Sequence, residues 1–257
     1  MSYALVTGAS KGIGRAIAVS LAKRKHNLII VARSQDLLEQ VAAELMAAHK
    51  IDVKCFAADL SLPGAAQQVF DWCNQNKLEI NILVNNAGYG LAGVFENHTW
   101  EKHSDLMTIN MNMPLHMIHV FLPMLRQQPH GYILNIVSTT AYQALPKLAL
   151  YAASKSFMLS FTRALQFELK RTNVSVTAVS PGSTDTDFVN RAGMGPKAKK
   201  NAGKFNMTAE AVAEIAVNAM FKKKVEVITG FSNKFAAFMA WLLPKRFIES
   251  TAASFYD

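Results

Sequence analysis

Between residues 3 and 228 the chain alternates short aliphatic, β-branched runs with longer stretches whose apolar residues recur at helical spacing. Few architectures tolerate that alternation. Parallel strands need a crossover, the crossover is usually a helix, and the connection is right-handed. Runs at 3–7, 27–32, 52–57, 80–84, 132–137, 175–179 and 225–228 predict seven strands. Helices are predicted near 13–25, 35–49, 64–76, 100–128, 151–171 and 209–221. The expectation is one α/β domain over residues 1–257, a doubly wound parallel sheet with helices on both faces. Ligands of such sheets sit outside the carboxyl ends of the strands, so the chemistry is expected there.

Composition narrows the class. The chain is 51% hydrophobic and 18% charged, which excludes disorder, collagen and a disulfide scaffold. Cys55 and Cys73 form no C-x-x-C pair and no Cys/His cluster has ligand spacing, so neither zinc nor a structural disulfide is expected. Of His98, His103, His116, His119 and His130 only one pair, His116 and His119, has helical spacing, and no metal is expected there. The N-terminal residues enter a strand without the parts of a signal peptide. The longest apolar stretch near the C-terminus, 235–243, is nine residues, whereas a spanning helix needs roughly 20. A cytoplasmic protein is expected.

The formal net charge is +9, and from Asp187 onward 11 Lys/Arg face 6 Asp/Glu, with Lys197, Lys199, Lys200, Lys204 and Lys222–Lys224 among them. This excess suits phosphorylated ligands, nucleic acid or anionic lipid, or is a solvated basic face. No basic stripe is interleaved with aromatics, so nucleic acid is not expected as a partner.

The first strand ends in Thr7-Gly8-Ala9-Ser10-Lys11-Gly12-Ile13-Gly14-Arg15, and an amphipathic helix follows at once. Glycines permit a tight turn, and the free N–H groups and positive end of the helix favour a phosphate. A second constellation lies downstream. Ser138 ends the fifth strand, and Tyr151-Ala152-Ala153-Ser154-Lys155 puts a phenol and an ammonium one helical turn apart on one face. A phenol is a poor base at neutral pH, and a neighbouring ammonium favours its ionised form.

The G-x-x-x-G-x-G spacing and the Tyr-x-x-x-Lys pair resemble the short-chain dehydrogenase/reductase family in its main branch, with matching motifs from Thr7 to Thr186. The resemblance implies a Rossmann-type sheet in strand order 3-2-1-4-5-6-7 and a dinucleotide held by Gly8, Ser10, Lys11, Gly12, Ile13 and Gly14. At the end of the second strand an acidic residue would hold the ribose 2′-hydroxyl of NAD. Here Arg33-Ser34 stands instead, and Arg33 with Lys11 points to the 2′-phosphate of NADP, although Asp36 keeps NAD open and Arg33 can be read as a surface arginine. Asp59 and Leu60 would meet the adenine, unless Asp59 is an ordinary helix cap. Asn85-Asn86-Ala87-Gly88 resembles the family's N-N-A-G turn, which braces the sheet and brings backbone against the adenosine ribose.

For catalysis the resemblance implies that Tyr151 exchanges a proton with the carbonyl or alcohol oxygen and that Ser138 hydrogen-bonds that oxygen. Lys155 would hold the nicotinamide ribose, and Asn110 would anchor a water that links Lys155 to solvent. Pro181, Gly182, Thr184 and Thr186 would meet the nicotinamide. The expected activity is NADP-dependent reduction of an apolar ketone or oxoacyl compound; the rivals are an NAD-dependent alcohol or hydroxysteroid dehydrogenase and a non-enzymatic nucleotide-binding regulator. The apolar stretch 111–125 calls for cover beyond its own sheet, and in the family that helix and the Tyr151 helix form the main dimer interface, so a homodimer or homotetramer is expected. Substrate choice is assigned to the loop 187–205, to Tyr89 and Phe95, and to the segment 231–257. That segment, apolar on one face and basic at its edge, is expected to close over the pocket or, failing that, to pack on a partner subunit, with a membrane surface the least favoured of the three fates.

Overall fold

The computed structural model describes residues 2–195 and 206–256. Seven strands form one parallel sheet: β1 (Ser2–Thr7), β2 (Asn27–Ala32), β3 (Val53–Ala57), β4 (Glu79–Asn85), β5 (Gly131–Ile136), β6 (Val174–Ser180) and, at the edge, β9 (Glu226–Ile228). Their order is β3-β2-β1-β4-β5-β6-β9, as expected from sequence, with Leu5 beside Ile29 and Leu83, and Ile133 beside Val176. A separate pair, β7 (Thr184–Asp185) with β8 (Met207–Thr208), was not foreseen.

Side-chain alternation explains why the strands read as continuous apolar runs. Ala4 and Val6 of β1 and Leu28 and Ile30 of β2 point into one core with α1 (Gly12–Lys23), α2 (Gln35–His49) and α8 (Ala209–Phe221). Tyr3, Leu5, Ile29 and Val31 point into a second core with α3 (Ala65–Gln75), α5 (Met113–Gln127) and α6 (Ala149–Glu168). Both faces are covered, so both parities of most strands are apolar, and the polar exceptions, such as Asn135 in β5 and Ser175 and Thr177 in β6, are buried too. Each fully buried Leu or Ile contributes about 1.5–3 kcal/mol through the water it leaves.

The helical stretch expected over 100–128 is built in three parts. α4 (Trp100–Met107) runs into a π turn at Thr108–Asn112, which continues into α5. A π turn inserts one extra residue into a helix and shifts the facing side chains, here Asn110. Beyond α7 (Phe188–Arg191), residues 196–205, which carry Lys197, Lys199, Lys200, Lys204 and half of the expected substrate loop, lie outside the described residues. The C-terminal segment folds as α9 (Phe231–Leu242) and α10 (Lys245–Tyr256). α10 is tied back by Ala252, which is buried with Leu106, Leu148 and Tyr151. Among the described residues no helix is long and apolar enough to cross a membrane and no metal-holding cluster exists.

Candidate active site

The carboxyl ends of β3, β2, β1, β4, β5 and β6 open in that order onto one cavity of about 980 Å³. At one end stand Lys11, Arg33, Ser34, Asp59 and Leu60; at the other, Ser138, Tyr151, Lys155, Pro181, Gly182, Thr184 and Thr186. Gly8, Ser10, Gly12, Ile13, Asn86, Ala87 and Gly88 lie between. Of the residues expected from sequence, Gly14, Asn110 and Phe95 are not in the lining: Gly14 and Asn110 act from behind it, and Phe95, expected beside Tyr89 at the substrate, is instead exposed and stacked on His103.

The glycine turn shows why. Gly8 has φ +67°, which disfavours any side chain, and a Cβ on Gly14 would fall 2.3 Å from the Gly8 carbonyl oxygen. Gly14 therefore lets α1 close onto the β1 turn, and the ligand-facing work falls to its neighbours. A brace from β4 fixes the same turn. The Asn86 amide donates to Thr7 O at 2.9 Å, and Thr7 Oγ1 accepts from the backbone N–H of Asn86 and of Ala87 at 3.0 and 3.1 Å. Deeper, the Asn85 amide donates to Asn135 Oδ1 at 2.9 Å, and Asn135 donates to Thr162 Oγ1 at 2.9 Å. Thr7 and Asn135 were missed from sequence because each is one polar residue within a strand, and only pairing reveals its partner.

Asn110 is buried by the π turn and used on both sides. Its Oδ1 accepts from Tyr89 N at 3.1 Å, and its Nδ2 donates to Tyr89 O at 3.0 Å and to Ser154 Oγ at 3.2 Å. It thus clamps the strand-four loop to α6. A Cβ on Gly88 would lie 2.8 Å from Asn110 Oδ1 and 3.6 Å from Lys155 Nζ, so the loop is glycine where those side chains pass.

Tyr151 and Lys155 share one face of α6, and both are buried. Lys155 Nζ lies 5.7 Å from the Tyr151 ring centroid and donates to Ile136 O at 3.1 Å. Burial pulls the Lys155 pKa down to about 8, so the amine still carries its charge at neutral pH. Ser138 precedes a 3₁₀ turn, and its Oγ accepts from Thr140 N at 3.2 Å. Phe188 packs on Tyr151 at 5.4 Å between centroids. At the other end the backbone N–H and the hydroxyl of Ser61 hold the Asp59 carboxyl below the usual carboxylate range, and Arg33 adds attraction. Asp59 therefore ties its own turn while lining the cavity, and it is not a helix cap, since Gly64 stands at the N-cap of α3. Asp36 sits exposed on the first turn of α2, outside the cavity lining.

The loop after β6 is held internally: Thr184 Oγ1 donates to Gly182 O at 3.1 Å, and Thr186 Oγ1 donates to Thr184 O at 3.4 Å. α9 completes the far wall. Ser232, Asn233 and Ala236 line the cavity, and a Cβ on Gly182 would fall 2.3 Å from the Asn233 amide. Asn233 had no local signal in the sequence.

The short chain dehydrogenase family profile matches residues 2–197. This chain belongs to the short-chain dehydrogenase/reductase family. Within that family it is 28% identical over 235 residues to 7β-hydroxysteroid dehydrogenase of Mediterraneibacter gnavus, covering 90% of this chain and 87% of the relative. A structure from work on 7β-hydroxysteroid dehydrogenase stereoselectivity superposes with TM-score 0.87 at 26% identity, covering 98% and 96% of the two chains. A short-chain dehydrogenase of Sphingobium yanoikuyae solved with NADPH gives TM-score 0.82 at 28% identity, covering 94% of each. As a short-chain dehydrogenase/reductase, the protein is an NAD(P)-dependent oxidoreductase that interconverts a carbonyl and an alcohol. The cavity fits that cofactor on its own chemistry: helix-terminal N–H groups for a diphosphate, cations beyond them, and a buried ammonium beside a phenol at the reacting end.

Proposed function

We propose that this enzyme uses NADPH to reduce an apolar ketone or oxoacyl compound, with Tyr151 as the proton donor. One observation carries the reading: a single cavity has Lys11 and Arg33 at one end and Ser138, Tyr151 and Lys155 at the other. When bound, the reduced nicotinamide supplies the hydride. Arg33 and Lys11 hold the 2′-phosphate, since Arg33 stands at the strand end and Asp36 does not face the cleft. Gly8 through Ile13 take the diphosphate, Asp59 and Leu60 the adenine, and the backbone of Asn86–Gly88 the adenosine ribose. Thr184 and Thr186, with Pro181 and Gly182, face the carboxamide.

At the reacting end Ser138 Oγ donates to the substrate oxygen and Tyr151 gives that oxygen its proton. The Lys155 ammonium favours the phenolate left behind and holds the ribose hydroxyls. Asn110 positions Tyr89 and, through Ser154, the helix that carries Tyr151 and Lys155. Apolar substrate is favoured because Tyr89, Ile109, Leu148, Phe188 and Met194 form the wall beside Tyr151. The reading includes a homo-oligomer through α5 and α6, where Phe157 and Phe167 are exposed, and a reducing compartment, in keeping with two free cysteines.

Initial rates with NADPH and NADH against aliphatic ketones, oxoacyl thioesters and steroid ketones test the proposal. We expect kcat/KM at least about tenfold higher with NADPH, the size of one or two charge-assisted hydrogen bonds. Tyr151→Phe is expected to lower kcat by about 10²–10⁴. A preference for NADH, or an undiminished Tyr151→Phe enzyme, overturns the reading.

A further inference from the structure

α9 has two opposite faces with different fates. On the inward face Asn233 packs on Gly182 and Ala240 is buried. On the outward face Phe231 is 85% exposed and Trp241 74%, and Phe235, Phe238 and Leu242 are more than half exposed. Residues 231, 235, 238 and 242 follow i, i+4, i+7, i+11, so they form one stripe along the helix. Phe247, at the start of α10, is also more than half exposed and extends the apolar surface around the corner. Contiguous apolar surface of this kind on a folded chain marks an interaction site.

Charge decides what covers it. From residue 229 to 248 there are three cations, Lys234, Lys245 and Arg246, and no carboxylate, and all three are exposed. Lys222, Lys223 and Lys224, also exposed, precede β9. A two-fold contact between copies places the same patch on both subunits, so the three cations would face three cations, and across the two helices only Glu249, one turn along α10 from Lys245, could answer them. An anionic lipid surface answers both halves of the pattern: the acyl boundary takes the aromatic stripe and the headgroups take the cations at its edge. Among the described residues no helix can cross a bilayer, so the contact is confined to one face.

We propose that the α9–α10 corner lays this enzyme on an anionic lipid surface. The inward face of the same helix lines the cavity through Ser232, Asn233 and Ala236, so the lipid-facing corner is also a wall of the cleft. If the function proposed above holds, an apolar ketone dissolved in the bilayer is delivered beside that wall; the docking itself does not depend on that reading.

The test is flotation of the full chain with phosphatidylcholine vesicles and with vesicles that also contain phosphatidylglycerol, at low and high salt. The expected result is flotation with the anionic vesicles, weakened by salt and by the triple variant Lys234→Gln, Lys245→Gln, Arg246→Gln. The double variant Phe235→Glu, Trp241→Glu should reduce the floated fraction at least about tenfold, with an unchanged thermal melt and unchanged NADPH binding showing that it still folds. Absence of flotation, or flotation that both variants leave intact, overturns the proposal. So does a wild-type particle that the double variant converts to a smaller one in sedimentation without any vesicle binding, which assigns the face to a second copy. Ketone reduction is read separately, so its failure and that of docking are told apart.

Discussion

At the residue scale Lys155 is a costly side chain, a cation buried beside Tyr151. Its pKa falls from 10.5 to about 8 because burial penalises the charged form. Between those values the unfolded chain keeps a proton the folded chain has lost, so stability rises with pH across that window and is lost again as pH falls through about 8. The displacement corresponds to about 3 kcal/mol carried by the native enzyme at neutral pH. Lys155→Met should therefore raise the melting temperature at pH 7 while lowering kcat by about 10²–10⁴, and the stability gain should vanish near pH 10.5 in a pH series of thermal melts. In the native enzyme the rate of reduction should decline as pH rises through about 8, when the ammonium is lost. Arg33→Asp is expected to reverse cofactor preference: a carboxylate repels a 2′-phosphate and accepts from a 2′-hydroxyl, and the kcat/KM ratio for NADPH over NADH reports it.

Elements then decide where those residues point. The π turn between α4 and α5 carries Asn110 to a place where one side chain serves the Tyr89 backbone and Ser154 at once. Asn110→Leu keeps the volume but leaves the Tyr89 N–H and C=O without these partners. Such a loss costs about 1–3 kcal/mol, read from a denaturant midpoint, and a kcat reduced more than KM is raised would show misplacement of the Tyr151 helix rather than weakened binding. The periodicity of residues 100–128 made the helix legible and hid the extra residue, because a π turn has no composition of its own and is fixed by what packs on it. The glycine turn is the opposite case. Strand, turn and helix are contiguous, so the residues that form it also announce it.

For the molecule as a whole, two apolar cores lie on opposite faces of one sheet, with α1, α2 and α8 over one and α3, α5 and α6 over the other. The cover that the apolar stretch 111–125 calls for comes from within the chain at Met113, Met117, Ile118, Phe121 and Leu125, which are buried, while His116, His119, Pro123 and Arg126 are exposed. Exposed aromatic surface is carried more by α6, where Phe157 stacks on Phe161 and Phe167 lies under Lys170, and the proposed contact between subunits rests on it. Sedimentation at increasing concentration should show a particle larger than one chain, and Phe157→Asp with Phe167→Asp should reduce it to a monomer. A wild-type chain that stays monomeric throughout removes the interface.

Much of this was local information. Strand and helix order, the glycine turn and the Tyr151–Lys155 pair each depend on residues within one or two turns of one another, and sequence spacing determined them. Arg33 at a strand end was readable for the same reason. What the tertiary structure decided joins residues far apart: Asn135 paired with Asn85, Asn233 seated on Gly182, α10 packed behind Tyr151, and the division of α9 into a cavity wall and an exposed aromatic stripe. An apolar residue in sequence states only that it leaves water where it can. Which surface it meets is set by the three-dimensional packing, because burial depends on every element that converges on the site.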